Sequence, residues 1–259
     1  MTDTVLPHRP VVDYIVERTG GEIVRDSLRI YREHFGVLIA IYAVPLLPVV
    51  ALSAYAVGSG SAGAAGTAEA LRWAVELFPT GAVTVAVSDI CLGNRPGLRS
   101  AYRIMLANFW RYVGTYLLFV LAFAVGLVLL VIPGLIAAVW FMFSCQVCVL
   151  ERRGPVASLR RSRRLVQGSF WRCAGIWLAM LCIVVLVAVS LMVVFQLFAA
   201  YAVGDWYTET WTVLDDLVNA AITFCIVPLM LTGLVLLYYD LRIRKENFDS
   251  ASLMDELMH

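Results

Sequence analysis

Four groups of residues in this 259-residue chain have types and spacings that could carry chemistry. Cys145-Gln146-Val147-Cys148 is a C-x-x-C, the spacing of a dithiol exchanger or of half a zinc site. Arg72 and Glu76 stand four residues apart, which on a helix makes them an ion pair, and Asp89 follows further along the same apolar stretch. Ionisable groups inside an apolar layer are costly and mark ion or substrate paths by default. Arg25, Arg29, Arg99, Arg103, Arg160, Arg161, Arg163, Arg164 and Arg172 recur in basic clusters and offer planar guanidinium forks to phosphate oxygens. Asp240 with Arg242 and Arg244 ends the last apolar stretch and could clamp the tail to an arginine elsewhere or dock a partner.

Each group has a plainer alternative. A zinc site needs two more clustered ligands, and the histidines, His8, His34 and His259, are scattered, so the C-x-x-C reads as packing and neither metal nor cofactor is expected. Cys91, Cys173, Cys182 and Cys225 fall within or beside apolar stretches, which predicts no extracellular disulfide. With no Ser/His/Asp set, metal cluster or phosphate loop, an enzyme is not expected. From Glu76 to Asp89 is about 20 Å of helix at about 1.5 Å per residue, so both acids could lie near opposite interfaces.

The elements that must position these groups follow from composition. The chain is 61% hydrophobic and 15% charged, with a mean hydropathy of +0.82, against about 45–50% and about 25% in soluble domains. That predicts an all-α integral membrane protein, a polytopic transmembrane helical bundle of about six spans in three hairpins. Phe35 to Ala56 reads as the first span, Val57 to Thr67 as a loop and Trp73 to Ile90 as the second span. Tyr112 to Leu150 carries no charge and is about twice as long as one crossing needs, so a turn is expected at Ile132-Pro133-Gly134. The last two spans start at Cys173 and Leu217, around a loop from Asp205 to Asp216. Residues 1–20 read as an amino-terminal tail and 251–259 as a carboxyl-terminal one. Between them, 21–250 reads as one membrane domain with hairpins at about 35–90, 112–150 and 173–239.

An internal repeat supports this division. Phe35, Phe109 and Phe170 each end a basic amphipathic stretch, and each has an arginine ten residues earlier (Arg25, Arg99, Arg160) and another six residues earlier (Arg29, Arg103, Arg164). Phe109-Trp110-Arg111 and Phe170-Trp171-Arg172 match outright. Each hairpin is therefore expected to follow an interfacial amphipathic helix whose apolar residues, such as Leu159, Leu165 and Val166, dip among headgroups while arginines meet phosphates. All the Lys and Arg except Arg72 fall on one side, 19 of the 20, which predicts that this face and both termini are cytoplasmic in an inner or plasma membrane. Tyr201, Trp206, Tyr207 and Trp211 suit an aromatic belt on the other side. A signal peptide cleaved after Ala54-Tyr55-Ala56 is the weaker reading, since the region before it is long and acidic. Nucleic acid is not an expected partner of a basic surface that faces a membrane. Arg outnumbers Lys nineteen to one, which suggests a GC-rich bacterial genome.

Ile132-Pro133-Gly134, Glu151, Gly154-Pro155, Ser162, Gly168 and Phe170-Trp171-Arg172, with the ending Tyr238-Tyr239-Asp240-Leu241-Arg242-Ile243-Arg244, resemble the glycerophosphoryl diester phosphodiesterase membrane-domain family over about residues 20–250. Pro133, Gly134, Glu151, Ser162, Phe170, Trp171, Asp240, Arg242 and Arg244 carry the signature. The resemblance implies a membrane architecture without an activity, because catalysis in the enzymes of that name belongs to a separate barrel domain, and a barrel needs about 250 residues of its own. The expected function is a non-catalytic membrane module, a scaffold or regulator whose partners are anionic lipid headgroups and a protein at the basic face. The alternative is a transporter or lipid-handling protein with a cavity near Glu76, Pro79 and the proline-interrupted spans.

Overall fold

A computed structural model describes residues 18–203 and 209–246, the side chains of 202, 203, 209 and 210 excepted. The expected tails before residue 18 and after 246, and the belt residues Trp206 and Tyr207, lie outside the described residues. Among the described residues there are nine helices: α1 (Gly20–Glu33), α2 (Phe35–Gly58), α3 (Ala62–Cys91), α4 (Leu98–Leu129), α5 (Val131–Trp140), α6 (Ser144–Leu150), α7 (Pro155–Val166), α8 (Phe170–Val203) and α9 (Glu209–Glu246). Six stretches are long and apolar enough to cross a membrane: α2, α3, α4, α5 with α6, α8 and α9. The protein is an all-α, multi-pass membrane protein, its spans paired as three hairpins.

Local chemistry sets the boundaries. Thr19 opens α1 with a reciprocal cap, its hydroxyl accepting the Glu22 N–H at 3.4 Å while the Glu22 carboxylate accepts the Thr19 N–H at 2.7 Å. Ser61 caps α3, accepting the Ala64 N–H at 3.3 Å. The Gly/Ala stretch expected as a loop therefore joins the helix, because alanine is the best helix former. The second span is 30 residues long, not the 18 expected.

The turn between the third and fourth spans falls at Leu130, extended at φ −170° and ψ 148°, before the predicted Ile132-Pro133-Gly134. Pro133 sits in the first turn of α5, where its missing N–H costs nothing. Gly134 serves the hairpin in another way: a Cβ built on Gly126 would stand 2.7 Å from the Gly134 Cα, so the two helices touch backbone to backbone. The fourth span is then interrupted at residues 141–143, and Ser162 of α7 bridges the gap. Its hydroxyl donates to the Trp140 carbonyl at 2.8 Å and accepts the Phe143 N–H at 3.1 Å.

The proline interruption of α2 is repaired by another helix. Pro45 cannot donate to the Ile41 carbonyl of α2, and the Tyr102 hydroxyl of α4 donates to it at 2.9 Å. Near Pro228 in α9, the Cys225 carbonyl accepts the Tyr31 hydroxyl of α1 at 2.6 Å.

The core sits at the arginine-rich end. Residues 81–88 of α3 are all buried, as are 231–242 of α9 apart from Leu234. Around them the amphipathic segments run lengthwise. α1 lies antiparallel along α9, with Arg18 at Asp240, Ser27 beside Gly233 and Tyr31 at Cys225. The second amphipathic stretch is the first half of α4, continuous with its span, and packs on α3 through Phe78 against Tyr102 and Phe109. α7 crosses from α4, where Pro155 meets Gly114, to the end of α9, where Arg161 meets Glu246. The apolar faces expected to dip among headgroups are covered by protein instead: Leu165 and Val166 of α7, like Ile23 and Ile30 of α1, are buried. Exposed apolar faces lie on α4 and α8, which expose Leu117, Leu121 and Val125, and Leu186, Val194 and Phe198, and also on α2 and α5, through residues such as Leu47 and Ile132.

Candidate functional site at the arginine-rich end

Two buried carboxylates organise this end. Asp240 on α9, with none of its side chain exposed, accepts the Arg18 N–H at 2.8 Å, the Arg172 guanidinium at 2.7 Å and the Arg244 Nε at 3.1 Å. The Arg172 and Arg244 guanidiniums also donate to the Arg18 carbonyl, so one acid ties the starts of α1 and α8 to α9. Asp240 and Arg244 lie one helical turn apart, so the continuing helix α9 brings both to the same point.

Glu151, at the end of α6, is the second hub. It accepts Arg153 at 2.6 Å, Arg161 at 3.1 Å and the Tyr238 hydroxyl at 2.8 Å. Burial pushes its carboxyl up, but the Tyr238 hydroxyl and the Arg161 and Arg242 guanidiniums outweigh it and hold the group below the usual glutamate range. Burial pulls the Arg161 guanidinium down, and Glu151 and Glu246 outweigh that and raise it. Glu246 joins the hubs by bridging Arg161 and Arg242, the latter at 3.3 Å. Lys245 completes the closure by donating to the Arg164 and Gln167 carbonyls at the end of α7, which have no partner within that helix.

The arginines expected to meet headgroups therefore divide. Arg161 and Arg172 are engaged by acids within the protein, a correction to their expected role, and Arg29 pairs with Asp26 at 3.2 Å while remaining half exposed. Arg163 lies over the Trp140 ring at 4.5 Å. Arg25, Arg99, Arg103, Arg160 and Arg164 are exposed. In both full copies of the repeat the phenylalanine is half-buried and the tryptophan points outward: Trp110 and Trp171 are 81% and 84% exposed.

At the far end the expected pair is not formed. Arg72 turns to Glu69 at 2.9 Å and to Asp216 of α9 at 3.2 Å, while Glu76 accepts the Tyr42 hydroxyl of α2. Asp216 also accepts the Ser53 hydroxyl at 2.7 Å, and Asp215 accepts the Gln196 amide of α8 at 2.6 Å. Arg72 prefers Glu69 and Asp216 because they offer it two carboxylates, whereas Glu76 points toward α2. Asp89 is half-buried two residues before the end of α3. Among the described residues, no group of three or more His, Cys, Asp or Glu could hold a metal ion. Cys145 lies near Tyr112 of α4, and Cys148 near Thr115 of α4 and Ser158 of α7.

Sequence reasoning missed Arg18, Tyr42, Tyr238 and Glu246. The spacing of Tyr238, Arg242 and Glu246, four residues each, was a helical signal for two of them. Arg18 and Tyr42 had none, since their partners lie on distant helices.

The family described as Domain of unknown function (DUF7847) matches residues 97–241, more than half of the chain, and the chain belongs to it. No curated protein and no solved structure matches the chain.

Proposed function

We propose that this member of the DUF7847 family is a non-catalytic membrane module, a scaffold or regulator that gathers anionic lipid headgroups and a protein partner at its arginine-rich face. In this reading the face and both termini are cytoplasmic, the membrane is the inner or plasma membrane, and the arginine bias reflects a bacterial genome. The observation that carries it is the division of the arginines. The buried acids hold one set in place, and Arg25, Arg99, Arg103, Arg160 and Arg164 remain exposed at the end where Trp110 and Trp171 also project. Tryptophans at headgroup depth beside cations are the pattern of an interfacial anchor, and each cation near an anionic leaflet contributes about 1 kcal/mol. The signature residues of the glycerophosphoryl diester phosphodiesterase membrane domain have structural roles here, Ser162 at the span interruption and Asp240 and Glu151 as hubs. The reading takes an architecture from that resemblance and no activity.

The test is lipid retention. The protein is purified from membranes with phosphatidylglycerol and phosphatidylcholine in equal amounts, and retained lipid is weighed by native mass spectrometry. Enrichment of phosphatidylglycerol in the wild type, lost in the R99Q/R103Q/R160Q/R164Q variant at an unchanged melting temperature, is the expected result. Equal retention of the two lipids by the wild type would overturn the reading. Mild crosslinking in native membranes before purification identifies the protein partner.

The contact between Tyr42 and Glu76 favours a second reading, a transporter or lipid-handling protein. A cavity of about 250 Å³ between the end of α2 and the start of α3 is lined by Leu52, Tyr55, Ala56, Ala68 and Leu71 and not by Glu76, which keeps this reading second.

A further inference from the structure

Glu76 stands fourteen residues from the start of α3 and fifteen from its end, about 21 Å and about 22 Å at about 1.5 Å per residue. A hydrocarbon layer is about 30 Å thick, and α3 is about 45 Å long, so any such layer that α3 crosses includes Glu76 wherever it is centred. Arg72 falls at the edge of that window and Asp89 outside it. The same count on α2, about 36 Å long, keeps Tyr42 inside as well. The longer α3 thus moves Glu76 from an interface, where the sequence placed it, into the apolar layer.

What surrounds Glu76 does not neutralise it. On α3 the nearest cation, Arg72, is engaged by Glu69 and by Asp216 of α9. α2 offers the Tyr42 hydroxyl, which donates to Glu76, and Tyr116 of α4 lies within electrostatic range of both Glu76 and Cys145 of α6. From α9 the Phe224 ring meets the Tyr42 ring edge-on at 6.1 Å. An ionised carboxylate at this depth is costly, and a single phenolic donor compensates only part of that. A metal cation would need about six oxygen ligands, which one carboxylate and a donating phenol do not supply. A proton needs one.

We infer that Glu76 is a proton-binding site in the apolar layer, with Tyr42 as the donor that stabilises its ionised form. The inference stands independently of headgroup binding. Uptake of a proton turns the Glu76 oxygen from acceptor to donor, so the Tyr42 hydroxyl must turn away. The three helices that meet here each carry a proline within about one turn of the contact: Pro45 in α2, Pro79 in α3 and Pro228 in α9. Their backbone ladders are already interrupted where the bond changes, so a change of bend is the natural response.

The full chain in lipid nanodiscs is treated with N,N′-dicyclohexylcarbodiimide, which reacts with protonated carboxyls in apolar surroundings, and peptides are read by mass spectrometry across pH. The expected result is labelling of Glu76 at neutral pH that declines as pH rises further and is absent in E76Q. Y42F should carry the labelling to higher pH, because the ionised form loses its donor. Infrared difference spectra of wild type and E76Q over the same pH range read the protonated carboxyl directly, whatever the access of the reagent. No labelling at neutral pH, together with no carboxyl band there that E76Q removes, would overturn the inference. A pH profile of labelling unmoved by Y42F would remove Tyr42 from the site. Unchanged melting of both variants guards against unfolding as the cause.

Discussion

The two ends of the bundle solve the same electrostatic problem with opposite signs. At the arginine-rich end single buried acids, Asp240 and Glu151, each gather several donors; at the far end a single guanidinium, Arg72, gathers two acids. In each case the scarcer charge is the one enclosed. The exposures differ as well: the Asp240 side chain is fully buried and that of Arg72 is 19% exposed. Enclosure decides what a pair contributes, because removing one member of a buried set strands its partners, while a pair that water reaches is screened. The arginine-rich end is therefore the lock of the fold, and the far end a looser fastening.

The largest effect expected from this contrast is that of D240A, which strands Arg172 and Arg244 beside a buried backbone. A loss of about 3–5 kcal/mol follows, read by unfolding in detergent, and a loss no greater than that of an Arg72 variant would erase the contrast. E151Q keeps the hydrogen-bonding shape and removes the charge, at a cost of about 2 kcal/mol. Its pH dependence sharpens the point. The Glu151 carboxyl is held below its usual range by Tyr238, Arg161 and Arg242, so its contribution is full above the unfolded value of about 4.3 and fades as pH falls through the lower folded value. Wild-type melting temperature should fall more steeply with acid below that point than that of E151Q. R72Q should cost about 1 kcal/mol and lose most of that difference in concentrated salt. Replacing exposed Arg160 and Arg164 by Gln should leave stability within about 0.5 kcal/mol while lowering phosphatidylglycerol retention, which separates arginines that lock from arginines that face outward.

The number and pairing of the spans were legible because apolar runs longer than a bilayer admit few foldings. The extent of α3 was not: its Gly/Ser/Ala stretch has the look of a linker and the helical preference of alanine, and the cap at Ser61 decides between them. Amphipathic periodicity showed that α1, the start of α4 and α7 bury one face, but the pattern is the same whether lipid or protein covers it. Packing along α9 and α3 settled that for Ile23, Leu165 and Val166. The roles of adjacent arginines were hidden for a geometric reason. Arg160 and Arg161 project about 100° apart on a helix, so one meets Glu151 and the other meets solvent, and only the placement of α6 says which.

Arg18 and Asp240 are 222 positions apart, yet their bond closes the arginine-rich end. On a ribosome the first helix is made long before its partner exists, and it must wait beside an unfinished bundle until the last helix emerges. Contacts of such separation are the slowest to form. A chain cut just before Asp240 would hold five spans and all but about the last two turns of the sixth, and would still leave Arg18 and Arg172 without their shared acid, so this end closes only once the last span has been made.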